Sequence, residues 1–264
     1  MKVLFLADPG LPGPVNMAVD ACLVRMAERG ELDIALRTYT WEPHTVSLGR
    51  LQKGLSGIDH RKLSADGFGL VRRPTGGRAV WHGRELTYSV TAGARHPLYS
   101  DGIEKSLGAV ATVLVNALNA IGVPAVMNRA VRSGEGFGRG PCFVSHGRFE
   151  VMTQDGRKLV GSAQARTRGA FLEHGSILFD NDQTRLLDYT IGPDGSEDTH
   201  EALREKLFKG TGTVREYSPF ASPCDLVRPL QEAFMEYWGV RAVSSDYTVI
   251  PAGELSEAAR EYEL

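Results

Sequence analysis

Between residues 34 and 91 the chain carries five short apolar runs separated by turn residues, and no other feature limits the fold as much. The runs are 34–39, 45–48, 68–73, 78–81 and 86–91, with turns at Glu42-Pro43, at Pro74 to Gly77 and at Gly83. Runs of four to six residues are too short for stable helices and read as strands, which must pair with one another. Two longer patterns lie outside this block. Val15, Ala18, Val19, Cys22, Leu23 and Met26 follow the three-four spacing of one helix face, and Gly30 stops that helix. Leu107, Val110, Ala111, Leu114, Leu118 and Ile121 mark a second helix, ended by Gly122 and Pro124.

Met1 to Leu6 reads as a first strand, followed at once by Asp8 and a Pro/Gly turn. Arg132 to Pro141 holds Gly134, Gly136, Gly138 and Gly140 and predicts a mobile loop. Strands are expected at 142–144 and 148–153, and a turn at Gln154-Asp155-Gly156 leads as a hairpin into 158–163. Another strand is expected at 171–179, and beyond Asp180 the pattern turns mostly helical. No repeat or linker divides the chain. The expected architecture is therefore α+β (mixed α/β), a single catalytic-sized domain over residues 1–264 with no accessory C-terminal domain. A chain of 264 residues with 42% hydrophobic side chains can bury one core without staples.

Charge and cysteine usage exclude several classes. With 30 basic and 32 acidic side chains the formal net charge is -2, so no general nucleic-acid footprint is present. No apolar stretch is long enough to cross a bilayer, and Met1 to Leu6 is too short for a signal peptide. Cys22, Cys142 and Cys224 make no metal-type pair and leave one thiol over in any disulfide scheme, which points to a reducing cytoplasm.

Three stretches carry chemistry. Arg72-Arg73-Pro74-Thr75-Gly76-Gly77-Arg78-Ala79-Val80-Trp81-His82 puts paired glycines between strands with three arginines nearby. Successive N–H groups and guanidinium groups there suit a phosphate or carboxylate, and a tight hairpin with solvated arginines fits equally. Cys142 stands where the glycine-rich stretch enters a strand. A thiol of pKa near 8.5 is about 3% thiolate at pH 7, more beside a cation, although many free cysteines are simply small buried hydrophobes. Gly156-Arg157-Lys158-Leu159-Val160-Gly161-Ser162-Ala163-Gln164 sets Lys158 among apolar strand residues, as a desolvated functional cation or as the end of a hairpin.

Taken in order, RRPTGGRAVWHGRELTYS, PCF, GRKLVGSAQ and HGSI resemble the biotin and lipoate protein ligase superfamily. Within it they resemble the octanoyl-carrier-protein:protein octanoyltransferases whose cysteine precedes the lysine. Met17-Ala18-Val19-Asp20 and Ser47-Leu48-Gly49 fit as well. The resemblance implies a mixed, largely antiparallel sheet flanked by helices, the fold of the ligases' catalytic domain. It implies Cys142 as the acylated nucleophile and Lys158 as its partner cation. An acyl pocket is implied around Arg72, Arg73, Thr75, Gly76, Gly77, Arg78, Ala79, His82, Gly161, Ser162, Ala163 and His174. The implied donor is octanoyl-acyl carrier protein, docking on arginines such as Arg129, Arg132 and Arg139. The implied acceptor is an apo lipoyl-domain protein, such as glycine cleavage H protein or a 2-oxoacid dehydrogenase E2. No cofactor is called for. His82, His146 and His174 are candidate bases for the amide-forming step. Close relatives move octanoyl or lipoyl groups between lipoyl-carrying proteins, and the ligases use ATP. A biotin ligase lacks support because there is no Gly-Arg-Gly-rich loop. A non-catalytic acyl- or lipoyl-protein binder would leave Cys142 and Lys158 unexplained.

Overall fold

Leu86, Tyr88, Val90 and Ala92 alternate with Glu85, Thr87, Ser89 and Thr91, and all eight side chains are buried. A strand covered on both faces, apolar on one and polar on the other, separates a core from a site. The computed structural model describes residues 2–129, 149–191 and 197–264. That strand, β6 (Glu85–Gly93), lies inside a six-stranded sheet with β1 (Val3–Leu11), β2 (Ile34–Trp41), β9 (Val160–Arg166), β10 (Ala170–Leu178) and β11 (Val243–Ser245). Its order is β11-β1-β2-β6-β10-β9. β1 runs parallel to β11 and β2, and the other three pairings are antiparallel. The sheet is mixed and largely antiparallel.

The apolar face of β6 packs under helices α4 (Ile103–Ala120) and α6 (Pro223–Trp238), in one core that includes Val110, Leu114, Leu226, Leu230 and Phe234. α1 (Gly13–Glu28) and α7 (Ala252–Arg260) cover the opposite face through Ala18, Val19, Cys22, Leu23 and Ala258. A small sheet of β4 (Gly69–Arg72), β3 (Thr45–Leu48) and β5 (Val80–His82) packs through Val46, Leu48, Leu70 and Trp81 on a 3-10 helix, Gln183–Tyr189. A two-stranded ribbon pairs β7 (Ala125–Met127) with β8 (Val151–Thr153). The chain also forms the short helices α2 (His60–Ala65) and α3 (Pro97–Ser100), and α5 (Glu197–Gly210). Among the described residues no helix is long and apolar enough to cross a membrane.

Three local expectations are corrected. The Asp8-Pro9 turn does not end β1: pairing with β2 shifts register between Ala7 and Gly10 and resumes to Leu11. A bulge of this kind re-aims a side chain, here turning Asp8 inward. Second, the turn at 154–156 closes only a one-bridge hairpin, Met152 to Lys158, after which β9 pairs with β10. Third, β11 adds a parallel edge strand in a region read as mostly helical.

Asp8 meets Arg37, whose guanidinium is fully buried. Arg37 Nε donates to Asp8 Oδ2 at 2.6 Å, Nη1 to Asp20 Oδ1 and to the Asn16 carbonyl, each at 2.9 Å, and Nη2 to Asn16 Oδ1 at 2.8 Å. The cation also lies 3.9 Å from the Tyr39 ring centroid. Removing one member of such a group leaves uncompensated buried charge. Arg37→Ala is therefore expected to destabilise the protein by about 3–5 kcal/mol, read as a lower urea midpoint. A change under about 1 kcal/mol would mean that the two carboxylates find other partners.

Candidate active site

The polar faces of β6 and β10 end in a narrow cleft beside the small sheet. Met17, Tyr39, Trp41, Ser47, Arg73, Val80, His82, Thr87, Gly161, Ser162, Ala163, His174, Gly175 and Ser176 enclose about 420 Å³, the open mouth included. Gly161, Ser162 and Ala163 form a half-buried rim, whereas the rest of the lining is buried, the apolar Met17, Tyr39 and Trp41 included. Glycine is required at 175. A Cβ there would stand 2.4 Å from the Gly161 carbonyl oxygen and 2.8 Å from Tyr88 Cε1.

Two histidines face this space, each held between a carboxylate and a hydroxyl. His82 Nδ1 lies 2.8 Å from Glu85 Oε1 and Nε2 lies 2.7 Å from Ser47 Oγ. The Thr87 and Ser176 hydroxyls donate to the same Glu85 oxygen at 2.6 and 2.9 Å, and Trp41 stacks on the imidazole with ring centroids 4.1 Å apart. His174 Nε2 lies 2.6 Å from Thr75 Oγ1, and Nδ1 lies 3.3 Å from Asp20 Oδ2. Burial, opposed by Asp20, holds His174 below the ordinary imidazole pKa. The ring is then neutral at pH 7, with Nδ1–H directed at Asp20 and Nε2 accepting from Thr75. Burial alone would raise the Asp20 carboxyl, but Arg37 and His174 bring it below the usual value.

Arg72 and Arg73 are spent on backbone carbonyls. Arg72 donates to Gly49, Gln52 and Gly54, and Arg73 to Ser47, Gly76 and Arg78 as well as to Ser47 Oγ. These bonds fold the Thr75–Arg78 loop back onto Gly49, where a Cβ would fall 2.0 Å from the Gly77 carbonyl oxygen. Gly77 itself has φ +92°, a conformation that favours glycine. The arginines brace the loop, instead of standing solvated beside it or waiting free for an anion.

Of the residues singled out from the sequence, Arg73, His82, Gly161, Ser162, Ala163 and His174 line the cleft, and Thr75 reaches it through His174. Arg72, Gly76, Gly77, Arg78 and Ala79 stand behind it. Lys158 is buried just before β9 and is not in the wall. Its ammonium donates to Glu150 Oε1 at 2.7 Å. Cys142, His146, Arg132 and Arg139 lie outside the described residues. Burial pushes the Cys22 thiol up to about 11, while Cys224 is exposed in the first turn of α6.

Residues 12–223 match the family described as the lipoyl protein ligase A/B catalytic domain. Across 93% of this chain and 88% of the relative, it is 37% identical to an octanoyltransferase LipM of Kyrpidia tusciae. Across 97% of this chain and 94% of the relative, it is 34% identical to the octanoyltransferase LipM of Moorella thermoacetica. The chain belongs to the lipoyl protein ligase A/B catalytic domain family. It is an acyltransferase. Solved structures agree on the fold: a lipoate-protein ligase A bound with ATP superposes with a TM-score of 0.72 at 22% identity, covering 98% of this chain and 92% of that one. A bi-partite lipoate protein ligase of Thermoplasma acidophilum, studied with its E2 lipoyl domain, gives 0.72 at 22% identity over 98% and 90%.

Sequence reasoning passed over several residues that line the cleft or brace it. Tyr39, Trp41, Glu85, Thr87 and Ser176 looked like ordinary strand residues. Arg37, a charge inside the apolar run IALRTYTW, was the available signal that this strand covers a polar interior.

Behind the rim, Ser162 Oγ lies 2.7 Å from the Tyr88 hydroxyl, which donates to Glu173 at 3.4 Å, and Gln164 donates to the other Glu173 oxygen at 3.0 Å. Burial raises Glu173 to about 8, against the pull of Gln164, Tyr88 and Arg166. Between the unfolded carboxyl value and about 8 the unfolded chain is ionised and the native one protonated, so stability falls as pH rises through that window, by at most about 1.4 kcal/mol per unit. Glu173→Gln should therefore stabilise the protein more at pH 8 than at pH 5. Urea midpoints at the two values check this, and an equal effect at both would contradict it.

Proposed function

We propose that this acyltransferase moves an octanoyl group from octanoyl-acyl carrier protein, through a thioester on Cys142, to a lysine of an apo lipoyl-domain protein. The supporting observation is kinship to named octanoyltransferases along nearly the whole chain. The buried apolar cluster of Met17, Tyr39 and Trp41 in the cleft wall supplies a surface against which a short acyl chain could pack. A chain two carbons too short would lose about 1.6 kcal/mol of burial, about fifteenfold.

In the first half-reaction the Cys142 thiolate attacks the donor's thioester carbonyl and the carrier's pantetheine thiol leaves. Lys158 supplies positive charge near the thiol and the developing oxyanion. β9 ends the six-stranded sheet, so every second backbone N–H in it points away from β10, which makes the rim a source of oxyanion donors. In the second half-reaction the acceptor amine attacks the acyl-enzyme, the amide forms and the thiolate is released. A free lysine is well under about 1% neutral at pH 7, so this step needs a base. His82 and His174 both face the cleft. The reading treats residues 1–264 as one catalytic domain.

The test is a mixture of enzyme, octanoyl carrier protein and apo lipoyl domain without nucleotide, read by intact mass. One octanoyl mass should appear on the enzyme, map to Cys142 and be released by hydroxylamine, and Cys142→Ala should abolish both adduct and turnover. Strict dependence on ATP and free octanoate, or an adduct on Cys224, would overturn the mechanism. Replacing Lys158 with Ala in protein shown to be folded should slow acyl-enzyme formation by on the order of a hundredfold. Near-normal acylation would reduce Lys158 to a structural partner of Glu150.

A further inference from the structure

Three of the buried side chains that line the cleft, Met17, Tyr39 and Trp41, form one apolar cluster, and two of them are tethered. The Tyr39 hydroxyl donates to Asp20 at 3.1 Å under the Arg37 cation, and Trp41 Nε1 donates to Thr87 Oγ1 at 2.7 Å while its ring stacks on His82. Met17 is different. It packs with Tyr39, Trp41 and Val71 as a buried apolar cluster, and its thioether, a weak acceptor, is not held by a donor among the described residues. Its Cα is nonetheless fixed, because Asp20 lies three residues on along α1 and binds both Arg37 and His174. Met17 is therefore an adjustable apolar side chain on a rigid mount, in the wall of the same cleft whose rim is Gly161 to Ala163.

We propose that Met17 sets the length of acyl chain this enzyme accepts, by forming the floor on which the chain's terminal methyl rests. This rests on the octanoyl-transfer reading above. Truncating the side chain to Ala removes three heavy atoms from the cleft wall, space for about two further methylenes. Enlarging it to Phe fills a smaller space, about one methylene.

The test measures binding of free hexanoate, octanoate, decanoate and dodecanoate by calorimetry to the wild type, Met17→Ala and Met17→Phe. Transfer from the matching acyl carrier proteins is then assayed separately. Decanoate should gain on octanoate by about fifteenfold in Met17→Ala, and octanoate should lose ground to hexanoate in Met17→Phe. Met17→Val, which leaves a smaller cavity, should shift in the same direction as Ala and serves if the Ala variant does not fold. An unchanged ranking of chain lengths in folded variants overturns the assignment. A wild type that binds the acids but transfers no acyl group overturns the octanoyl-transfer reading, and Met17 is then judged on the binding ranking alone.

Discussion

The buried guanidinium of Arg37 is the interaction on which the polar half of the molecule depends. Because the side chain is wholly buried, its N–H groups must find acceptors inside the protein. They do so on a bulge in β1 through Asp8, on α1 through Asn16 and Asp20, and from a strand that pairs with β6. Asp20 then accepts from Ser89 at 2.8 Å and from Tyr39, and faces His174, which meets Thr75 at the base of the glycine loop. One cation thus fixes how the first helix, the central strands and the loop stand relative to one another. The cleft is the space left between them.

A second arginine repeats this logic on a smaller scale. Arg73 takes carbonyls from both sides of the loop it starts, and the loop lies against Gly49 so closely that no side chain fits there. This is loop-building chemistry. The contrast with the sequence expectation is instructive: an arginine beside paired glycines suits anion binding in composition, but its donors go first to the orphaned carbonyls of a tight turn. The two histidine networks likewise set the orientation of their rings before any ligand arrives, while Glu85 Oε2 stays buried without a hydrogen-bond partner among the described residues.

Much of the fold was legible because it is local. The strands from 34 to 91 and the two amphipathic helices fall within a few residues of their expected positions, since alternation and three-four spacing report burial directly. The bulge at Asp8 was not legible, because Pro9-Gly10 reads as a turn and only pairing with β2 across the sheet carries the strand past it. The cleft was legible in part: Gly161 to Ala163, His82 and His174, expected around one pocket, do line it. It was illegible where the cleft's walls depend on distant partners: nothing in the order of residues 20, 37, 75 and 174 says that they meet. Lys158 was expected as an exposed hairpin end or a buried cation. It is a hairpin end that is also buried, and Glu150 is what reconciles the two.

The central claim is that the cleft between the polar sheet face and the small sheet is where the acyl chain lies during transfer. A crystal structure of the octanoylated enzyme tests it most directly. The account predicts the chain entering past Gly161 to Ala163, running between His82 and His174 and ending against Met17. A chain lying instead along the groove bordered by Arg84, Arg215 and Pro223, on the far side of Trp41, would contradict it.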